Sequence, residues 1–369
     1  MADKRAKSWL DVLEGRVNID IDWMDPAFIK SLQGKPHDQT SNQLWMGIQL
    51  AHTSNTDLLK ITAKELKTEG WLAVYSKMGT LMCKENIDSI LGRVLVQTSP
   101  SQAYDTGTTI EHARLYDREF RQLGIARERF CIKIPATGPG VLAMQRLSRE
   151  GIPVLGTAVF NVEQAIACSQ AGCLYISPYY NEVRSHQDPS LWPNVKDPAV
   201  EHPFSHRIYQ MVESYRQLYH RTGRDQPLVK LAAFRSRKEV IAGAELGCHS
   251  CTVSAQMLKE LAETPYEPEI DPGKHQGKLE PRGFYGKLHE PPLRLQPLLT
   301  SDPLAQPKDS FKPASLDIDY LAHGARDLVK ALDADPAGKN RLDDAILMFI
   351  KAEMESKSLI ESVTQQAAL

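Results

Sequence analysis

Short apolar runs alternate with amphipathic stretches along residues 17–263. The apolar runs are rich in β-branched residues, and they predict strands over residues 17–22, 92–98, 130–135, 153–160, 173–179, 228–234 and 248–254. Spacings of three and four residues between apolar positions predict helices over residues 43–68, 109–123, 141–150, 162–170, 206–222 and 238–246, and an alanine-rich helix follows the last strand and runs on to residue 262.

Regular alternation of strand and helix indicates a parallel sheet and the α/β class. About eight such units in this length predict a (β/α)8 TIM-type barrel, which we expect to be a catalytic domain over residues 1–263. An open, doubly wound sheet is the second hypothesis. It is disfavoured because no G-x-G-x-x-G motif follows the first strand.

The remainder of the chain has a different pattern. Residues 264–314 are rich in proline, glycine and charge without a period, which predicts a long loop or an insertion. Apolar positions at helical spacing return at residues 318–332 and 341–356. We therefore expect a third region, residues 315–369, whose helices pack on the barrel or on a second subunit of a homodimer.

Composition excludes several classes of protein. The formal net charge is −2 and the pI is about 6.6, so no basic footprint for nucleic acid exists. No apolar run approaches the length of a membrane span, and the first residues do not resemble a signal peptide, which predicts a cytoplasmic protein. Cys248 and Cys251 form a lone C-x-x-C without a second ligand pair, so we expect no metal and no organic cofactor.

Lys133 is the residue that indicates a function. It stands near the end of the predicted strand F-C-I-K-I-P at residues 130–135, where an ammonium group is poorly solvated. Desolvation lowers the pKa of a lysine and frees the neutral amine, the form that attacks carbonyl carbons. A lysine that merely reaches solvent at a strand end is the alternative. Lys230, in another predicted strand, is a weaker candidate because alternation places it opposite Ala233 and Arg235.

Polar residues cluster at the ends of the other predicted strands, where barrel enzymes hold their catalytic groups. The set comprises Asp20, Asp22, Thr40, Ser41, Asn42, Gln97, Thr157, Ser177, Tyr179 and Arg235. It suits amine chemistry on a ketone. Asp22 would act as acid and base, with Asp20 as the fallback, and Gln97, Thr157 and Tyr179 could hold a water. Asn42 could bind a substrate hydroxyl, and Ser177 and Arg235 could bind an anionic tail.

Each of these residues also has a structural interpretation. Asp22 could cap a helix, Thr157 could be an ordinary core residue, Tyr179 could simply pack, and Arg235 could belong to a solvated helix start. The joint placement at strand ends is what favours a site.

Several of these motifs resemble the transaldolase family of Schiff-base class I aldolases. They are C-I-K-I-P-A-T at 131–137, G-I-P-V-L-G-T-A-V-F at 151–160, A-G-C-L-Y-I-S-P-Y at 171–179 and T-S-N at 40–42. The resemblance implies an (α/β)8 barrel with Lys133 as the Schiff-base lysine on the fourth strand and Asp22 as acid and base. It also implies substrate contacts from Asn42, Thr157, Ser177 and Arg235.

Some positions depart from the family pattern. Gln97 stands where transaldolases carry a glutamate, and Tyr179 where they carry phenylalanine; both resemble the fructose-6-phosphate aldolase branch. Glu182 occupies the position of an expected second phosphate-binding arginine, and Ala233 that of a serine.

The first hypothesis is transfer of a dihydroxyacetone-type unit on a ketose or ketose phosphate, of the pentose phosphate pathway kind. The alternatives are an aldolase acting on an unphosphorylated substrate and a non-catalytic scaffold.

Overall fold

A parallel seven-stranded sheet forms the centre of the protein. The computed structural model describes residues 6–271, 277–290, 292–307 and 311–366, so parts of all three predicted regions lie outside the described residues. The sheet order is β1-β7-β6-β5-β4-β3-β2. The strands are β1 Asn18–Ile21, β2 Val94–Gln97, β3 Phe130–Pro135, β4 Val154–Val159, β5 Tyr175–Pro178, β6 Leu228–Leu231 and β7 Ser250–Val253. Every strand residue is buried, as expected for a parallel sheet covered by helices.

Residues 37–40, which we call the closing segment, connect the two edge strands. Gln39 forms parallel bridges with Ile21 of β1 and with Val94 of β2. Its backbone nitrogen donates to the Arg93 carbonyl (3.0 Å), and its own carbonyl accepts from the Leu95 nitrogen (2.8 Å). The closing segment therefore stands at the place of a second strand. A parallel sheet closed in this way is consistent with a TIM-type barrel.

Helices connect the strands and cover the sheet. In chain order they are α1 Trp9–Leu13, α2 Pro26–Ser31, α3 Gln43–Ala51, α4 Thr56–Glu65, α5 Trp71–Asn86, α6 Thr106–Gln122, α7 Gly138–Arg149, α8 Val162–Gln170, α9 Pro198–Glu201, α10 Pro203–Thr222, α11 Arg237–Glu245, α12 Ala255–Glu263, α13 Phe284–Lys287, α14 Ala322–Asp333 and α15 Pro336–Gln366. The prediction of parallel α/β architecture is confirmed.

Two features of the helix prediction are wrong. The single helix predicted over residues 43–68 is two helices, because the chain is extended at His52 (ψ 137°) before a turn of 3-10 helix at Thr53–Asn55. The prediction also omitted α5, whose cysteine, threonine and serine residues dilute its apolar pattern; α5 buries Ser76 and Thr80 completely.

The last helix, α15, packs against the segments that follow the ends of β2 and β5. Tyr104, just beyond β2, donates a hydrogen bond to Asp343 of α15 (3.0 Å). After β5, Arg184 pairs with Asp344 (2.9 Å) and Glu182 with Arg341 (3.1 Å). Within residues 264–314, the described parts include α13 and a 3-10 helix at Leu293–Leu299, which buries Leu295 and Leu298. Among the described helices, none combines the length and the apolar character needed to cross a membrane.

Candidate active site

Lys133 lies on β3 and is 4% exposed. Its Nζ atom donates to the backbone carbonyl of Ser41, at 3.0 Å. Burial lowers the pKa of Lys133 from its usual value of 10.5, although the negative charge of Asp22 acts in the opposite direction. The positive charge of Lys230 adds to the lowering. The side chain therefore meets the electrostatic requirement for a nucleophilic amine.

Asp22 follows β1 directly, and both of its oxygens accept hydrogen bonds. The Thr40 hydroxyl donates to Oδ1 (2.5 Å) and the indole nitrogen of Trp45 donates to Oδ2 (2.6 Å). Trp45 is held edge-on against Trp23, with ring centroids 5.3 Å apart. Asp22 remains partly exposed. This fixed carboxylate can exchange a proton with a ligand without changing its own position.

Asp20, the fallback for the acid and base role, serves a different structural purpose. Its carboxylate is 2.8 Å from Nζ of Lys230, and that amine is also 2.7 Å from Asp38. Asp20, His37 and Asp38 have the spacing of a possible metal site. The ammonium of Lys230 already lies between the two carboxylates, and it supplies their counter-charge.

Lys230 itself points into the interior of the sheet, contrary to the alternation argument. It is 1% exposed and contacts β1, β7 and the closing segment. The period-two pattern fails after β6 because Ala233 has a positive φ of 63°. This turn re-aims the residues that follow, so Arg235 cannot be placed by counting from Lys230.

Gln97 ends β2 and is paired in register with Lys133 of the neighbouring strand. Its Nε2 atom donates to the side-chain oxygen of Gln43 (2.7 Å). Its own Oε1 atom is buried and has no hydrogen-bond partner among the described residues. A buried acceptor without a partner is costly, and a bound water or ligand would remove that cost.

Thr157 and Tyr179 are brought together on the opposite side of Lys133. Their hydroxyl oxygens are 3.0 Å apart, and both residues are buried. Burial raises the pKa of Tyr179, so its hydroxyl stays protonated and able to donate. Ser177 is paired in register with Thr157 and is also buried. These hydroxyls therefore line one wall of the same interior.

Asn42 directly precedes α3, and its side-chain oxygen caps that helix by accepting from the Leu44 nitrogen (2.9 Å). Within the described part of the chain, no hydrogen bond uses the amide nitrogen of Asn42. That nitrogen is a free donor on a residue adjacent to Ser41.

Arg235 follows β6 and stacks on the ring of Trp192, with 5.3 Å from its guanidinium carbon to the ring centroid. Its Nε atom is buried, and no residue that the structure describes forms a hydrogen bond with it. Trp192 is fixed in turn, because its indole nitrogen donates to Glu239 (2.6 Å). Arg235 is thus oriented but has unused donor capacity, as an anion-binding residue requires.

Glu182 is paired with cations rather than with the site. Its two carboxylate oxygens lie 3.1 Å from Arg341 and 3.4 Å from Arg184. Both arginines are therefore neutralised where a second anion-binding group was expected.

Sequence reasoning missed three supporting side chains: Gln43, Trp45 and Trp192. Gln43 and Trp45 follow Asn42 within one turn of α3, so their proximity to the T-S-N motif was the available signal. Trp192 lies in a polar loop without a period, where a large aromatic residue was the only indication.

Comparisons with known proteins show the family of this chain. Residues 19–282 match the family model described as transaldolase/fructose-6-phosphate aldolase. A transaldolase of Prochlorococcus marinus (strain MIT 9211) is 29% identical over 246 residues, covering 64% of this chain and 67% of the relative. A transaldolase of Acidobacterium capsulatum is 28% identical over 269 residues, covering 72% of this chain and 76% of the relative.

Among solved structures, the crystal structure of the Amycolatopsis orientalis BexX/CysO complex aligns with a TM-score of 0.32 and 21% identity. The alignment covers 48% of this chain and 62% of that chain. This likeness is too weak to carry an argument about fold or function.

Taken with the buried lysine at a strand end, the matches define an enzyme of the transaldolase or class I aldolase type. The chain belongs to the transaldolase/fructose-6-phosphate aldolase family. The family expectation from the sequence motifs is confirmed.

Proposed function

We propose that this (β/α)8 barrel transfers or cleaves a dihydroxyacetone-type unit of a ketose through a Schiff base on Lys133. The observation that carries the proposal is the environment of this amine: it is buried, it has a lowered pKa, and its hydrogen-bond partner is the neutral carbonyl of Ser41. A lysine paired with a carboxylate would keep its proton, whereas this one can lose it.

The reaction begins with attack of the neutral Lys133 amine on the ketone carbon. A C–N bond forms and the carbonyl oxygen takes up a proton, giving a carbinolamine. Loss of that hydroxyl as water gives an iminium ion. Asp22 then removes the proton from the hydroxyl on the β carbon, and the bond between the α and β carbons breaks. The electron pair of that bond passes to the iminium as an enamine, and an aldehyde leaves.

The enamine has two fates, and the site supports both. Attack on a second aldehyde, with the proton returned by Asp22, forms a new ketose that is still joined to Lys133 as an iminium, and hydrolysis of that iminium completes transfer. Protonation followed by hydrolysis of the imine completes cleavage. The water for hydrolysis would be held by the free Oε1 atom of Gln97 and by the hydroxyls of Thr157 and Tyr179. The aldolase variant is the second candidate, because Gln97 and Tyr179 resemble the residues of the fructose-6-phosphate aldolase branch at these positions.

The substrate tail would be bound by Arg235 and Ser177, and a substrate hydroxyl by the amide nitrogen of Asn42. Arg235 offers one oriented guanidinium, while the cations around Glu182 are already paired. A single oriented guanidinium supports weaker binding of a phosphate dianion than a pair of guanidinium groups would. A ketose without phosphate is therefore a substrate class to be tested beside the ketose phosphates.

A screen of ketose donors and aldehyde acceptors, each with and without phosphate, tests the proposal. We expect at least one donor to yield free aldehyde or a transferred ketose, measured by mass spectrometry. Lys133→Met, which keeps the length of the side chain, should abolish the product while keeping the melting temperature. Turnover that persists in folded Lys133→Met would overturn the lysine mechanism and favour another nucleophile.

A further inference from the structure

The second buried lysine of the sheet interior lies among polar groups that the proposed reaction does not use. Nζ of Lys230 is 2.8 Å from Asp20 of β1, 2.7 Å from Asp38 of the closing segment and 3.3 Å from the Ser250 hydroxyl of β7. It also lies 4.5 Å from the centroid of the Tyr175 ring on β5. One amine therefore connects strands that meet at the point where the sheet closes.

Asp38 is the contact that reaches the closing segment. Its Oδ1 atom accepts from the backbone nitrogen of Arg93 (2.7 Å) and lies 3.0 Å from His37. A side chain at position 92 would occupy the place of this carboxylate, so Gly92 allows the close approach. Asp38 thus ties the closing segment to β2, while Lys230 ties it to the other side of the interior.

Residues at and just after the closing segment carry the contacts of the proposed reaction. Thr40 donates to Asp22, and the Ser41 carbonyl accepts from Lys133. The Ser41 hydroxyl donates to the Leu95 carbonyl (2.8 Å). These contacts lie within a few residues of Asp38, so a displacement of Asp38 is transmitted to both the proposed nucleophile and the proposed base.

Backbone hydrogen bonds hold the closing segment to both neighbours: the His37 nitrogen donates to the Ile19 carbonyl (2.9 Å) and the Gln39 nitrogen to the Arg93 carbonyl (3.0 Å). The ion pair between Asp38 and Lys230 adds a side-chain contact to this backbone frame. Without Lys230, the carboxylates of Asp20 and Asp38 would be buried near each other without their ammonium partner. Their two negative charges would then repel each other.

We propose that Lys230 is a positioning residue for the reaction at Lys133, acting through Asp38 on the closing segment. It sets the distance between the Ser41 carbonyl and the Lys133 amine, and the orientation of the Thr40 hydroxyl toward Asp22. The inference rests on the proposed Schiff-base function of Lys133. It adds a role for a lysine that makes no contact with the proposed substrate.

The test measures the rate at which borohydride-reducible adduct forms on the intact protein with a ketose donor, in a single turnover. Three variants are compared with the wild type: Lys230→Met, Asp38→Asn and Lys77→Met. Asp38→Asn keeps the shape of the side chain and leaves the ion pair between Lys230 and Asp20 intact. It removes the negative charge through which Lys230 contacts the closing segment. Lys77→Met is the matched control, because Lys77 pairs with Glu119 on the helical layer, at 2.9 Å.

We expect Lys230→Met to slow adduct formation by about 100-fold and Asp38→Asn by about 10-fold, since a displacement of about 1 Å can cost that much. Lys77→Met should stay within about twofold, because the ion pair of Lys77 is with Glu119 of α6, away from residues 38–42. The losses should appear in the maximal rate more than in the donor concentration at half-maximal rate. A variant that only lost stability, without displacement of the Lys133 amine, would not show this difference between the two kinetic parameters.

Two results overturn the inference. One is a folded Lys230→Met protein that forms adduct at the wild-type rate. The other, which decides the matter if Lys230→Met does not fold, is an unchanged rate in Asp38→Asn. A wild-type protein that forms no adduct on Lys133 contradicts the proposed function instead, so the two failures are distinguishable.

Discussion

Two lysines are buried in the sheet interior, and their surroundings differ. Lys133 is 4% exposed and Lys230 is 1% exposed. Lys133 donates to one neutral carbonyl, whereas Lys230 lies between two carboxylates. Burial acts on both amines in the same direction. It lowers the pKa of Lys133, but the charges of Asp20 and Asp38 raise the pKa of Lys230 above its usual value.

The difference shows that burial alone does not make a lysine nucleophilic. The decisive quantity is the charge of the groups that face the amine. Lys133 is suited to lose its proton and react, while Lys230 is suited to keep its proton and hold other groups in place. The predictions below test this division of roles.

The largest expected effect is on stability. Lys230→Met should lower the free energy of unfolding by about 3–5 kcal/mol, because it leaves Asp20 and Asp38 buried without their ammonium partner. Lys133→Met should change it by no more than about 1 kcal/mol, since it removes one hydrogen bond and one desolvated amine. Urea titrations followed by circular dichroism compare the two. Equal losses would show that both lysines are structural.

A smaller effect is expected from the hydroxyl beside Lys133. Tyr179→Phe keeps the ring that packs edge-on against Phe160 and removes the oxygen 3.0 Å from Thr157. Turnover should fall by about 10- to 100-fold, because water for imine hydrolysis is held less well. Adduct should accumulate on Lys133 at the same time, as seen by intact mass. Wild-type turnover in the variant would assign Tyr179 to packing alone.

The smallest effect separates the two lysines by pH. In the folded protein the pKa of Lys133 lies below its usual value of 10.5. Between the lowered pKa of the folded state and 10.5, the unfolded chain binds one proton more than the folded protein. The contribution of Lys133 to the free energy of unfolding therefore increases as pH rises through that window. The pKa of Lys230 is raised, so its contribution is present below 10.5 and is lost as pH rises above it.

Melting temperatures from about pH 8 to pH 11 measure these slopes. The difference between wild type and Lys133→Met should shift in favour of wild type as pH rises toward the upper end. The difference between wild type and Lys230→Met should stay constant and then shrink at the highest pH. Slopes of the same sign for both variants would mean that the two amines are not electrostatically different.

The parallel α/β architecture was predictable from sequence, because buried parallel strands are continuous apolar runs that stand out between helices. The closing segment was not predicted as a strand. Its residues, His37 to Thr40, are polar and lack the apolar run of a buried strand. Asp38 is paired with Lys230, and Gln39 accepts from the amide of Asn86, and no local pattern reveals these long-range contacts.

The candidate site was predictable where a motif and a strand end coincide, as for Lys133 and Gln97. It was less predictable where the backbone departs from the regular pattern. The positive φ at Ala233 ended the alternation after β6, and that alternation was the reason for dismissing Lys230. The partners Trp45 and Trp192 come from a helix face and a loop that sequence spacing does not bring to the site.

Peptide mapping of the borohydride-trapped adduct tests the central claim most directly. The wild-type protein is incubated with a ketose donor, reduced, digested and analysed by tandem mass spectrometry. We predict a mass increase on the peptide that carries Lys133 and none on the peptide that carries Lys230. Adduct on Lys230, or no adduct on Lys133 with any donor that turns over, would contradict the account.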